Sequence, residues 1–148
     1  MSVIKARFHK ARGELSNILA KAKFLAVATD AWTSKAVESY QTYTTHFIDG
    51  QWQMVTFVLA TSHFQGITGR RIAEEVHAAV KDVKCKDKVV SVVQDEAANA
   101  ASAGRLLMKK YGWDPLTCGA HRLDYRHAYV MRSTRTDICR PCWQDAIG

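Results

Sequence analysis

The 148-residue chain predicts an α/β domain with a mixed sheet, three antiparallel strands first and then alternating helices and parallel strands. Three observations predict it. Residues 24–34 (FLAVATDAWTS) form a short apolar run of strand length. Two β-prone segments, 39–48 and 51–60, flank Asp49-Gly50, the dipeptide of a two-residue type I′ hairpin turn. Beyond them, helical apolar stripes alternate with two further short strand-like runs.

Residues 3–23 read as an amphipathic helix, with Ile4, Phe8, Ala11, Leu15, Ile18 and Ala22 lining one face. Lys5, Arg7, Lys10, Arg12, Lys21 and Lys23 fill the rest, and Gly13 weakens the helix. The basic face suits either phosphates or plain solvation outside a helix packed on the sheet. The run at 24–34 carries one acid, Asp30, at its exit, followed by Trp32 and Thr33. After the hairpin, Gly66-Ile67-Thr68-Gly69 breaks the pattern, and Thr68 is suited to cap a helix over 69–83. Its stripe is Ile72, Ala73, Val76, Ala79, Val80 and Val83. With Arg70 and Arg71 the two glycines suggest a phosphate clamp or, more simply, a strand-to-helix turn. Residues 88–94 (KVVSVVQ) are a second apolar strand ending on an acid, Asp95. An Ala-rich helix over 97–111 and a brief strand over 114–118 follow. Near His121 the composition switches: every lysine lies before it, and the basic residues after it are all arginine. The expected organisation is a basic helix at 1–23, a partial domain at 24–121 and a divergent, irregular tail at 122–148.

A net charge of +7 and a pI near 9.4 point to a polyanionic partner, most simply nucleic acid. No apolar run approaches the roughly 20 residues of a membrane span, and the first residues lack the apolar core of a secretory signal. Four unevenly spaced cysteines are no disulfide framework, so a reducing compartment is expected, nucleus or cytoplasm.

The chemistry-bearing residues are few. Asp30 and Asp95 end two apolar strands that this topology places side by side, and two converging carboxylates would hold Mg²⁺ or Mn²⁺. Each also serves as an ordinary strand-end residue, and Asp95 suits a helix cap before Ala97. Cys118-x-x-His121 and Cys139-x-x-Cys142 have the spacing of two Zn²⁺ ligand pairs. Cys85 lies among Lys84, Lys86 and Lys88, which would activate its thiol, unless it is an ordinary loop cysteine.

The segments Thr29-Asp30-Ala31-Trp32-Thr33-Ser34, YTTHFIDGQWQM, HFQGITGRRIAEEV, VVQDEAANA and Cys118-Gly119-Ala120-His121 occur in one order over about 24–123. In combination they resemble the core of hAT-superfamily transposases and the zinc-finger BED-domain-containing proteins derived from them. The resemblance implies a ribonuclease-H-like fold, incomplete at its C-terminus, with Asp30 and Asp95 at the first two acids of a DDE-type site. It implies that Trp32 and Thr33 support Asp30, and that Cys118 and His121 match a family C-x-x-H element. The family's third acid is a glutamate far downstream, and this chain has no glutamate after Glu96. Nor does the spacing of a BED finger precede residue 24. The expectation is therefore a catalytically inactive, nuclear protein with non-specific DNA association or a protein-interaction role. Its uncovered apolar surface would favour association of copies. The rival expectations are a metal-dependent transposase or nuclease fragment completed by a missing region, and a small zinc module.

Overall fold

The computed structural model describes residues 3–63 and 68–123. The chain divides into two units, Met1–Cys118 and Gly119–Gly148. In the second, the described residues 119–123 are helical.

The first unit runs α1 (Val3–Leu19), β1 (Leu25–Thr33), β2 (Ser39–Ile48), β3 (Met54–His63), α2 (Gly69–Asp82), β4 (Val89–Gln94), α3 (Ala98–Tyr111) and β5 (Asp114–Thr117), with a short 3₁₀ turn at Lys86–Lys88. The five strands form one mixed sheet in the order β3-β2-β1-β4-β5. β1 to β3 are antiparallel neighbours, whereas β4 lies parallel to both β1 and β5. This is the mixed topology that the alternating periods predict.

Alternation along the strands divides the sheet into two faces. On one, Val27 of β1 pairs with Val92 of β4, and both are fully buried. They share a core with Val76 and Val80 of α2 and with Ala103 and Leu107 of α3. The two helices approach closely at Gly69, where an added Cβ would lie 2.6 Å from Ser102 Cβ. Thr68 caps α2 as expected, its hydroxyl accepting the Arg71 N–H at 3.3 Å. Gly66 and Ile67 of the suggested phosphate clamp lie outside the described residues. On the opposite face a single register row crosses all five strands: Val58, Thr44, Ala28, Val93 and Leu116. Its two ends, Val58 and Leu116, are 59% and 46% exposed.

Two expectations are corrected. The first helix ends at Leu19, and the stripe through Ile4 and Phe8 does not face the core, since those residues are exposed. The inward positions are Arg12, Leu15, Ser16 and Leu19, at helical spacing, so that of the expected stripe Leu15, and Ala22 past the helix end, do turn inward. Arg12 does the anchoring: it donates to the Leu59 carbonyl of β3 at 2.6 Å and pairs with Asp82 at the end of α2. At the far end of α1, Lys88 Nζ donates to the carbonyls of Leu19 (3.2 Å), Ala20 and Ala22 (2.8 Å). A single ammonium thus gathers three carbonyls at and just beyond the helix terminus, where intrahelical donors run out.

The hairpin turn also differs. β3 begins at Met54, and Asp49 N–H donates to Gln53 O at 3.0 Å while Trp52 N–H donates to Asp49 O at 3.1 Å. The loop is therefore a turn followed by a bulge residue rather than a two-residue type I′ turn. Asp49 explains the difference, because its Oδ1 accepts from both Gln51 N–H (2.8 Å) and Gln53 N–H (2.9 Å). The left-handed position falls on Trp52 (φ 62°), not on Gly50. A non-glycine residue there costs roughly 1–2 kcal/mol.

Candidate two-carboxylate site

The apolar stretch of β1 is long enough to carry Asp30 past the end of β4. Pairing of β1 with β4 stops at Ala28↔Val93, whereas pairing with β2 continues to Thr33↔Ser39. Asp30 thus lies within a strand that has lost one neighbour, not at the strand's end as expected. Two residues beyond the last β1–β4 pair stand Asp30, still within β1, and Asp95, one residue past the end of β4. Cys118 N–H donates to Gln94 O at 2.7 Å and extends the ladder on the other side of β4.

Asp30 is exposed and Asp95 half-buried. Asp95 Oδ1 accepts the Ala97 N–H at 3.0 Å, which turns the chain into α3. The N-cap of α3 is Ala97, without a side-chain cap, so Asp95 is not the helix cap its position suggested. The Asx-type turn leaves its second carboxylate oxygen uncommitted to that bond.

Trp32 lies on Asp30's side of β1, and Thr33, by alternation, on the opposite side. Trp32 Nε1 donates to Thr42 Oγ1 at 3.4 Å, and Thr42 is the β2 partner of Asp30. Thr42 Oγ1 also lies 3.1 Å from Thr61 Oγ1 on β3. The indole stacks on Tyr40 (centroids 4.7 Å apart), which meets His63 edge-on. Tyr40 hydroxyl donates to Glu38 Oε2 at 2.7 Å, and that carboxylate, followed by burial, raises the phenol above its ordinary range. Tyr40 and Thr42 were not singled out from sequence. Their signal is the i, i+2 spacing in β2, which becomes legible only once β1 and β2 are in register.

Among the described residues no group of three or more His, Cys, Asp or Glu side chains is arranged to hold a metal ion. Two carboxylates suit one hydrated Mg²⁺ or Mn²⁺ whose remaining positions would go to water and a substrate phosphate. They do not suit the paired ions of a phosphodiester displacement. For the zinc reading, His121 is exposed in the helical stretch 119–123, and Cys139 and Cys142 lie outside the described residues.

Cys85 is buried, with its Sγ donating to Val80 O at 3.5 Å. Burial pushes its thiol up to about 11, and Lys88 offsets this only in part. Of the two readings of Cys85, the unreactive thiol is the one that holds. At pH 8 a maleimide is expected to modify Cys85 only as the chain unfolds. Modification of the folded chain at that residue, located by peptide mapping, would contradict the burial.

A mixed sheet ordered 3-2-1-4-5, with acids beyond the paired ends of β1 and β4, is a ribonuclease-H-like domain. The model of the ZBED1 RNase-like domain matches residues 28–116, and the chain belongs to that family of transposase-derived domains. Both aspartates fall inside the matched span. Similar solved structures include the Mos1 transposase catalytic domain with raltegravir and Mn, at 13% identity and a TM-score of 0.46, covering 90% of this chain and 74% of that one. The catalytic domain of Mos1 mariner transposase is similar at 12% identity and a TM-score of 0.43, with the same coverage. A search of curated proteins finds no significant match. Among the described residues no helix is long and apolar enough to cross a membrane.

Proposed function

We propose that this chain is a transposase-derived domain that associates with DNA in the nucleus but does not itself cleave or join DNA strands. The observation that carries the reading is the donor set: Asp30 in β1 and Asp95 just past β4, with no group of three or more His, Cys, Asp or Glu among the described residues arranged to hold a metal ion. Asp30 and Asp95 are then the vestigial first two acids of a DDE-type site. Trp32 supports Asp30 through Thr42. Thr33, Cys118 and His121 keep family positions without a catalytic task. A bridging Mg²⁺ or Mn²⁺ would bind weakly and leave the leaving oxygen of a scissile phosphate unattended.

DNA association follows from the charge of +7 and from lysines gathered where β1 and β4 begin and α2 and α3 end: Lys21, Lys23, Lys81, Lys84, Lys86, Lys109 and Lys110. Contacts of this kind go to phosphates, so they are independent of sequence and weaken as salt displaces them. The test incubates the 148-residue chain with supercoiled plasmid and Mg²⁺ or Mn²⁺, beside an Asp30→Ala variant. The expected result is salt-sensitive retention of plasmid without nicking. Metal-dependent nicking that Asp30→Ala abolishes would overturn inactivity, and absence of retention at low salt would overturn DNA association.

A further inference from the structure

At the end of the sheet opposite the two aspartates lies a groove of about 820 Å³, lined among others by Lys21, Lys23, Phe24, Ile48 and Trp52. It runs between the start of β1 and the β2–β3 turn. Two of its three aromatic side chains are conspicuously solvated, Trp52 at 87% and Phe24 at 67% exposure, while Phe47 packs against the core. Trp52 is also the residue held at φ 62°, in the bulge position where glycine would fit without strain. Folding gains nothing from a large apolar side chain that is exposed and on unfavourable backbone. A strained residue of this kind points to a task outside the fold.

We propose that this groove is a stacking platform for unpaired nucleic acid, with bases on Trp52 and Phe24 and the phosphates on Lys21 and Lys23. Aromatic faces beside a cationic rim are the features that single strands use, because every unpaired base offers a π-face and every nucleotide a charge. Duplex DNA keeps its bases stacked on one another and offers only the phosphates. A second copy of the chain is disfavoured at this lysine-flanked groove, since each copy carries +7. The carboxylate of Asp49, which also lines the groove, is turned inward onto the Gln51 and Gln53 amides. The platform rests on the DNA-association reading and adds to it a surface and a preference for strand state.

The experiment measures fluorescence anisotropy of labelled oligothymidylate and of a duplex of equal length over a range of salt, with the full chain and its variants. The wild-type chain is expected to prefer oligothymidylate by about tenfold or more, the effect of stacking one or two bases. Trp52→Gly removes the indole and relieves the left-handed strain, so it is expected to melt no lower than wild type and to lose that preference. Phe24→Ala, at an exposed position, should reduce the preference in part. Lys21→Ala and Lys23→Ala should each lower the salt slope for oligothymidylate by about one. Equal affinity for both nucleic acids, or a preference that survives Trp52→Gly, would overturn the platform and leave the groove to an apolar protein partner. Failure to bind either nucleic acid at low salt would overturn the DNA-association reading itself, and the platform with it.

Discussion

Gly104→Ala is expected to destabilise the domain by about 1–3 kcal/mol, the range for forcing extra atoms into a packed core. In an exposed helix the same change would stabilise by up to about 1 kcal/mol, because alanine is the better helix former. Packing reverses the sign here. A Cβ on Gly104 would lie 2.3 Å from Gln94 Nε2 and 2.7 Å from Pro115 Cβ. Gln94 is buried at the end of β4, and Pro115 is fixed in β5 by its pairing with Val92. The Gln94 amide can give only by turning within its buried site, and the rigid Pro115 ring gives only if α3 moves away from β5. Because Asp95 follows Gln94 directly, the displacement reaches the candidate site. Urea denaturation followed by tryptophan fluorescence would measure the cost. A variant as stable as wild type would mean that α3 does not approach β4 and β5 this closely.

The second large effect is expected from Lys88→Met, which keeps most of the side-chain stem and removes the ammonium. Three carbonyls at and just beyond the end of α1 lose the ammonium at once, and of these Leu19 O keeps the Ala22 N–H at 3.2 Å. Hydrogen bonds to a charged group contribute roughly 1.5–3 kcal/mol each when protected from water. Partial exposure lets water replace some of them, so a net loss of about 2 kcal/mol is expected. Much of it should appear as release of α1, whose inward face holds few buried residues besides Leu19. Limited trypsin digestion would report this as faster cutting after Lys10 and Arg12, with the sheet intact. Unchanged digestion together with an unchanged melting temperature would rule out the anchoring role.

Much of the fold was legible because its signals are local. The change of period marked β4, α2 and α3 to within a residue or two, and the adjacency of the strands bearing Asp30 and Asp95 followed from their order. The failures share one cause, a tertiary or side-chain contact overriding a local rule. Asp49-Gly50 suggested a two-residue turn, but the Asp49 carboxylate gathers two amides and lengthens the loop. The stripe through Ile4 and Phe8 suggested a packed helix face, but Arg12 sets the orientation of α1 through Leu59 and Asp82. Of the candidate site, the two acids were visible in sequence, and the Trp32–Thr42 contact, made beside Asp30 across the β1–β2 register, was not.

The parallel pairing of β1 with β4 joins Leu25 to Val89, positions 64 apart in sequence (89 − 25). During synthesis the meander of β1, β2 and β3 leaves the ribosome well before the partner that covers the remaining edge of β1. Until then that edge presents a row of bare amides and carbonyls, open to a neighbouring nascent chain. The docking of β4 beside β1 is accordingly a late event, completed only when the crossover through α2 has closed.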